Sequence, residues 1–275
     1  MSASTVLAAG ARAVVLLLAI ASTAAAARKP DPLVNARLFY NDGQYDQAIE
    51  AAAQAAANPS FASSARLVLG RSRLERYRKT SVAGDLDAAR GDLRAVDPRA
   101  LDARERLELQ IGLAVLLYFE EQFGAAAELL DPVVDASAPL APDARERALD
   151  WWATALDRYA QTMPAPDRGP SYARMIERME RELARDNSSA VAGYWLPAAA
   201  RGAGDLDRAM AAASASWIRA ALTSDGGTAL RADLDKLVTQ AIIPEKAAKV
   251  PSRERRQATG SLTTEWDAFK AAWTK

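Results

Sequence analysis

Gly43-Gln44-Tyr45-Asp46-Gln47-Ala48 places a turn, an aromatic residue and an alanine at fixed spacing. The arrangement returns as Gly84-Asp85-Leu86-Asp87-Ala88-Ala89, as Glu121-Gln122-Phe123-Gly124-Ala125-Ala126 and as Gly204-Asp205-Leu206-Asp207-Arg208-Ala209. The starts lie 41, 37 and 83 residues apart, and since 83 is about twice 41 a degenerate copy is expected between the last two. A period of this size belongs to stacked helix pairs. The expected fold is all-α: a solenoid of about five helix-turn-helix hairpins, closed by a C-terminal capping helix. Each hairpin of such an array buries its apolar face against its neighbours and leaves a long curved surface free, whose expected work is to hold a partner.

Working outward from each turn, apolar residues recur at three- and four-residue steps. Ala36 and Phe39 precede the first turn, and Ala48, Ile49, Ala52 and Ala55 follow it; Asn58-Pro59 ends the unit, because the residue before proline avoids helical geometry. The second unit places Leu67, Gly70, Leu74 and Tyr77 before Gly84, so its first helix is expected to run about two turns longer. The third, with Leu107, Ile111, Ala114, Leu117 and Tyr118, then Phe123, Ala126, Leu129, Leu130 and Val133, is the most apolar and the expected centre of the core. The fourth carries Trp151, Trp152, Ala155 and Tyr159 but lacks a Gly-Asp turn; a proline-rich loop, Met163 to Pro170, stands in its place. In the fifth, Pro197 is expected to kink the first helix or mark its first turn. A helix over Thr228 to Ile242 is expected to cover the open end. Pro244 to Gly260 reads as a basic flexible linker, ahead of a short amphipathic helix with Trp266, Phe269 and Trp273 on one face.

Composition removes many chemistries. The 275 residues include neither histidine nor cysteine, which excludes thiolate nucleophiles, disulfides, thiolate or imidazole metal sites and any imidazole base. No Ser-x-x-Lys occurs. Paired carboxylates acting on a sugar remain an alternative, yet with 35 acidic residues no pair is singled out. No cofactor and no metal is implied, and the chain is expected not to be an enzyme.

At the amino terminus Arg12 precedes an apolar stretch, Ala13 to Ala21, and small residues from Ser22 to Ala27. This is the pattern of an export signal, with cleavage expected near Ala27. An uncleaved anchor is the alternative, although the stretch is shorter than the roughly 20 residues of a membrane span. The division expected is therefore a signal peptide over 1–27, a helical repeat domain over 28–243 and the linker with its aromatic helix over 244–275, the chain acting in the periplasm or outside the cell. Arg12 is the only charge in residues 1–27, so the remainder stays within about one charge of neutral. Such balance supplies no field for nucleic acid, and membrane contact is expected only at the signal segment.

These hairpins resemble the tetratricopeptide repeat family. Ala36, Gly43, Tyr45, Ala48 and Pro59 carry the likeness in the first unit, and Gly70, Gly84, Leu86, Ala89 and Pro98 in the second. Ala114, Phe123 and Ala126 carry it in the third, Trp151 and Ala155 in the fourth, and Gly204, Leu206 and Ala209 in the fifth, over about residues 33–220. The resemblance implies a right-handed superhelix whose concave surface, lined by the first helix of each pair, binds a protein or peptide.

Carried onto this chain, the hairpin geometry makes Arg37, Tyr40, Asn41, Arg71, Leu74, Tyr118, Phe119, Trp152, Tyr159 and Arg201 groove-facing. Tyrosine, tryptophan and arginine are the types that anchor interfaces; each ring packed between helices of its own array is the alternative. Trp151 and Trp152 point about 100° apart, so one is core and the other partly exposed. Trp266, Phe269 and Trp273 either dock onto the array, contact a partner or lie on a membrane surface. A structural subunit of an envelope complex, docked by this last helix, is the alternative to a groove-binding scaffold.

Overall fold

The structure, a computed structural model, describes residues 31–136 and 138–274. The leader expected over 1–27 lies outside the described residues. Among those described, every regular element is helical and none is a strand. Consecutive helices pair as α1 (Pro32–Asn41) with α2 (Tyr45–Ala56), α3 (Ala62–Thr80) with α4 (Ala83–Arg94), and α5 (Ala103–Phe119) with α6 (Phe123–Asp135). They continue as α7 (Pro142–Thr162) with α8 (Gly169–Arg185) and α9 (Ala190–Gly202) with α10 (Leu206–Arg219). The second helix of each pair packs on the first helix of the next, and the first helices α1, α3, α5, α7 and α9 touch in succession. No helix among the described residues is long and apolar enough to cross a membrane.

The turns explain why the sequence breaks where it does. Gly43, Glu121 and Gly204 all adopt left-handed backbone, with φ of 72°, 61° and 81°. Each donates its N–H to the carbonyl three residues back, and the next residue donates to the carbonyl five back: Gln44 to Phe39 at 2.8 Å, Gln122 to Leu117 at 2.8 Å, Asp205 to Ala200 at 3.0 Å. This double bond closes the last carbonyls of a helix. The second pair departs from expectation. Its left-handed residue is Ser81, φ 57°, whereas Gly84 lies inside the first turn of α4. The physical reason is that α3 runs 19 residues, and Asp85, buried at the start of α4, pairs with Arg76 of α3.

Small residues set the helix crossings. Ala36, Ala48, Ala52, Ala89, Ala114, Ala126 and Ala155 are fully buried. At Gly70 a Cβ would lie 2.6 Å from Cγ of Leu93, so only glycine lets α3 and α4 approach this closely. The apolar core runs along the chain as three clusters, the largest starting in the third pair and reaching the C-terminal helix. Ile111 and Trp151 touch two of them.

The fourth pair is irregular, as the spacing predicted. The connection from α7 to α8 makes one 3-10 turn, Ala165–Asp167, held by Arg168 Nε donating to the Met163 carbonyl at 2.9 Å. Pro197 falls inside α9, away from its first turn.

At the C-terminal end the expected linker is corrected. After α11 (Thr228–Leu237) a π-helical turn, Val238–Ile242, leads straight into α12 (Ile243–Ala248). Proline lacks the N–H for an α-helical bond, and a widened turn just before Pro244 absorbs the mismatch. After a short turn, α13 (Arg255–Trp273) begins inside the stretch expected to be linker, several residues before Gly260. Trp266 is buried, edge-on to Trp217 at 5.4 Å, and its Nε1–H donates to Asp235 at 2.9 Å. Lys270 also reaches Asp235, at 2.6 Å, and Trp217 donates to Thr274 at 3.1 Å. The aromatic face of this helix thus docks onto its own chain: Trp266 and Phe269 are engaged and Trp273 alone stays exposed.

Candidate functional site

The first helices of four successive pairs bring one stripe each to a common cleft of about 250 Å³. Arg37, Tyr40 and Asn41 come from α1, and Val68, Arg71, Leu74 and Glu75 from α3. The start of α5 supplies Asp102, Arg104, Glu105 and Glu108, with Ile111, Gly112 and Val115 beyond them. From α7 come Ala144, Arg147, Ala148 and Trp151, and Leu140 enters from the connection before it. These positions repeat at three and four residues, which is what places them on one face of each helix.

Most of the charged side chains are paired with one another. Arg71 donates to Glu108 at 2.6 Å and lies over the Tyr40 ring, 4.5 Å from its centroid. Glu108 also receives Arg104 at 2.9 Å. Arg37 donates to Glu105 at 2.5 Å, and Glu105 closes the N-terminal cap of α5 reciprocally with Asp102. Burial works against the charge on Arg71, but Tyr40, Glu108 and Glu75 more than offset it, so its proton is held more tightly than usual. The packing is close as well: a Cβ at Gly112 would lie 3.3 Å from Arg71 Cγ.

Of the residues expected in a groove, Arg37, Tyr40, Asn41, Arg71 and Leu74 meet here. The others do not line the cleft. Trp152 is corrected: it is fully buried, with Arg174 and Arg178 over its ring at 5.9 and 5.4 Å, because the inward face of α7 is set by Ala148, Leu149 and Ala155. Its neighbour Trp151 takes the cleft wall. Tyr118 and Phe119 support that wall from behind, edge-on to Trp151 at 5.2 and 5.9 Å, with Tyr77 and Phe123 completing the aromatic cluster. Tyr159 packs over Gly124, at the start of α6. Arg201 pairs with Glu245 of α12 at 2.5 Å. Further along, Tyr172 donates to Asp157 at 3.0 Å; burial pushes that carboxyl up, against the hydrogen bond.

Arg147 and Trp151 were not foreseen in the cleft. The stripe Ala144, Arg147, Ala148 and Trp151 follows helical spacing and was available as a signal, but which of two adjacent tryptophans faces outward depends on the phase fixed by neighbouring helices. Among the described residues, no group of acidic side chains is arranged to hold a metal ion. No family model, curated protein or solved structure matches the chain.

Proposed function

We propose that the chain is an exported, tetratricopeptide-like scaffold, its hairpins stacked in a right-handed superhelix, that holds a protein or peptide segment in the cleft across α1, α3, α5 and α7. The observation that carries this reading is the fixed state of the cleft: Arg71 is pinned between Tyr40 and Glu108, and Arg37 to Glu105. Groups already held in place lose little freedom when a ligand arrives, so more of the contact energy appears as affinity. Tyr40 of α1 and Trp151 of α7, both in the lining, supply flat anchoring surfaces. At about 250 Å³ the cleft is smaller than the roughly 300–1,000 Å³ of small-molecule pockets, which suits side chains of a passing segment. The apolar stretch Ala13 to Ala21 supports export. Of the three aromatic residues of α13, only Trp273 is left exposed for a structural subunit to dock by.

The test is crosslinked capture from cell envelopes by the full chain and by a Tyr40→Ala/Asn41→Ala variant with unchanged far-UV circular dichroism. A partner held by the parent chain and lost by the variant is the expected result. A partner held equally by both would overturn the cleft as the binding surface.

A further inference from the structure

We propose that the segment held in the cleft is acidic, and that Arg147 of α7 receives one of its side-chain carboxylates. The proposal rests on the cleft being a peptide site and names the chemistry of the occupant. Its basis is the pairing of charges around the cleft. Glu105 is taken by Arg37, and Glu108 by Arg71 and Arg104. Glu75 is taken by Arg78 at 2.8 Å, and Asp102 accepts the Glu105 N–H at the head of α5. Three of the four carboxylates lining the cleft are thus held in ion pairs, and Asp102 caps α5 through one oxygen. Arg147 is the exception among the guanidiniums: it is exposed, it lines the cleft, and it makes no ion pair or hydrogen bond with the described residues.

Arg147 is thus the one guanidinium of the lining without a carboxylate partner. A carboxylate placed there forms paired N–H···O bonds with the planar guanidinium. Trp151, one turn along the same face of α7, offers its ring to the ligand's aliphatic stem. A basic side chain beside it would meet the repulsion of Arg147 and, apart from the capping Asp102, only carboxylates already held in ion pairs, so complementarity at this position favours an acid. Capture of a chain terminus takes several converging donors. One open guanidinium suits a side chain instead.

The experiment is selection of a random-peptide library, displayed as internal fusions so that neither terminus is free, on the immobilised full chain. The same selection is made on Arg147→Glu and on Ala144→Trp, which fills the cleft, each checked for unchanged circular dichroism. The expected result is peptides with Asp or Glu at one constant position, selected by the parent chain and not by Ala144→Trp. Arg147→Glu should replace that preference with Lys or Arg. In a synthetic copy, changing the selected Glu to Gln should weaken binding to the parent chain on the order of tenfold and strengthen binding to Arg147→Glu, where it removes a like-charge contact. Cleft-dependent peptides without an acidic preference, or with the same preference on Arg147→Glu, would overturn the proposal while leaving the cleft as a peptide site. No peptide that depends on the cleft would overturn both.

Discussion

Glu121 occupies, at φ 61°, the left-handed turn position that Gly43 holds at φ 72°, with the same pair of backbone hydrogen bonds closing the helix before it. One geometry is thus built twice, once with the residue suited to it and once without. A side chain in left-handed backbone costs roughly 1–2 kcal/mol, partly offset because glycine loses more freedom on folding. Glu121→Gly is therefore expected to stabilise by up to about 1 kcal/mol, and Gly43→Ala to destabilise by a similar amount. Urea denaturation followed by circular dichroism checks both signs; a loss of stability in Glu121→Gly would mean that the Glu121 side chain contributes something that its exposed position does not show.

The two adjacent tryptophans are expected to behave differently. Trp152 is wholly enclosed, so Trp152→Ala removes a full core side chain and should cost about 3–5 kcal/mol. Trp151→Ala removes two edge-on ring contacts and some buried area, and should cost about 1–2 kcal/mol. Equal losses in denaturant titrations would contradict the assigned phase of α7.

Gly70 and Leu93 define the closest approach of α3 and α4. Gly70→Ala puts a methyl 2.6 Å from Leu93 Cγ and should destabilise by about 1–3 kcal/mol. Adding Leu93→Ala opens room for that methyl, so the double variant should lose less than the sum of the two single losses. Additive losses would show that the crossing is not limited by this contact.

The docking of α13 should depend on pH at both ends of the scale. Burial would raise the Asp235 carboxyl, but hydrogen bonds from Lys270 and Trp266 outweigh it and hold it below its ordinary 3.8. Burial would lower Lys270, but Asp235 and Asp267 hold it above its ordinary 10.5. A depressed acid contributes stability that is present above its unfolded value and lost as pH falls through the folded one. A raised base contributes stability that is present below its unfolded value and lost as pH rises through the folded one. The helix should therefore stay docked between about pH 4 and 10 and loosen outside that window. Because the chain has no cysteine, a probe on Ala271→Cys labels one place and reports its mobility. Asp235→Asn should loosen α13 at neutral pH; an unchanged probe signal in that variant would show that the apolar contacts of Trp266 suffice alone.

Much of the helical architecture was legible because turns and small residues leave a periodic mark. Gly43 and Gly204 end helices, and Ala36, Ala48, Ala114 and Ala126 fall where helices cross, as the spacing required. Gly84-Asp85-Leu86 misled because the same residue types also suit the first turn of a helix, and a longer α3 had already placed the reversal at Ser81. The charged run after Pro244 looked like a linker since proline ordinarily ends a helix, and nothing in a local pattern announces a π-turn that accommodates it. The residues expected of α1 and α3 line the cleft, whereas at α7 it is Trp151, next to the expected Trp152, that lines it. The phase of α7 depends on buried side chains of α6 and α8, among them Leu130, Val133, Met175 and Met179, that share one core with Trp152 and are distant in sequence. Arg147 was hidden among neighbouring arginines: Arg145 is paired with Glu182 at 2.7 Å, and only the packed structure shows that Arg147 is not paired.

The central claim is that a protein or peptide segment lies across α1, α3, α5 and α7. The most direct measurement places a photo-crosslinking benzophenone amino acid at Trp151, inside the cleft, and separately at Val82, exposed and outside it, in the full chain expressed in its native cells. A discrete crosslinked partner is expected from position 151, absent from position 82 and abolished by Ala144→Trp. A partner crosslinked from position 82 and not from 151, or one from 151 that persists when the cleft is filled, would contradict it.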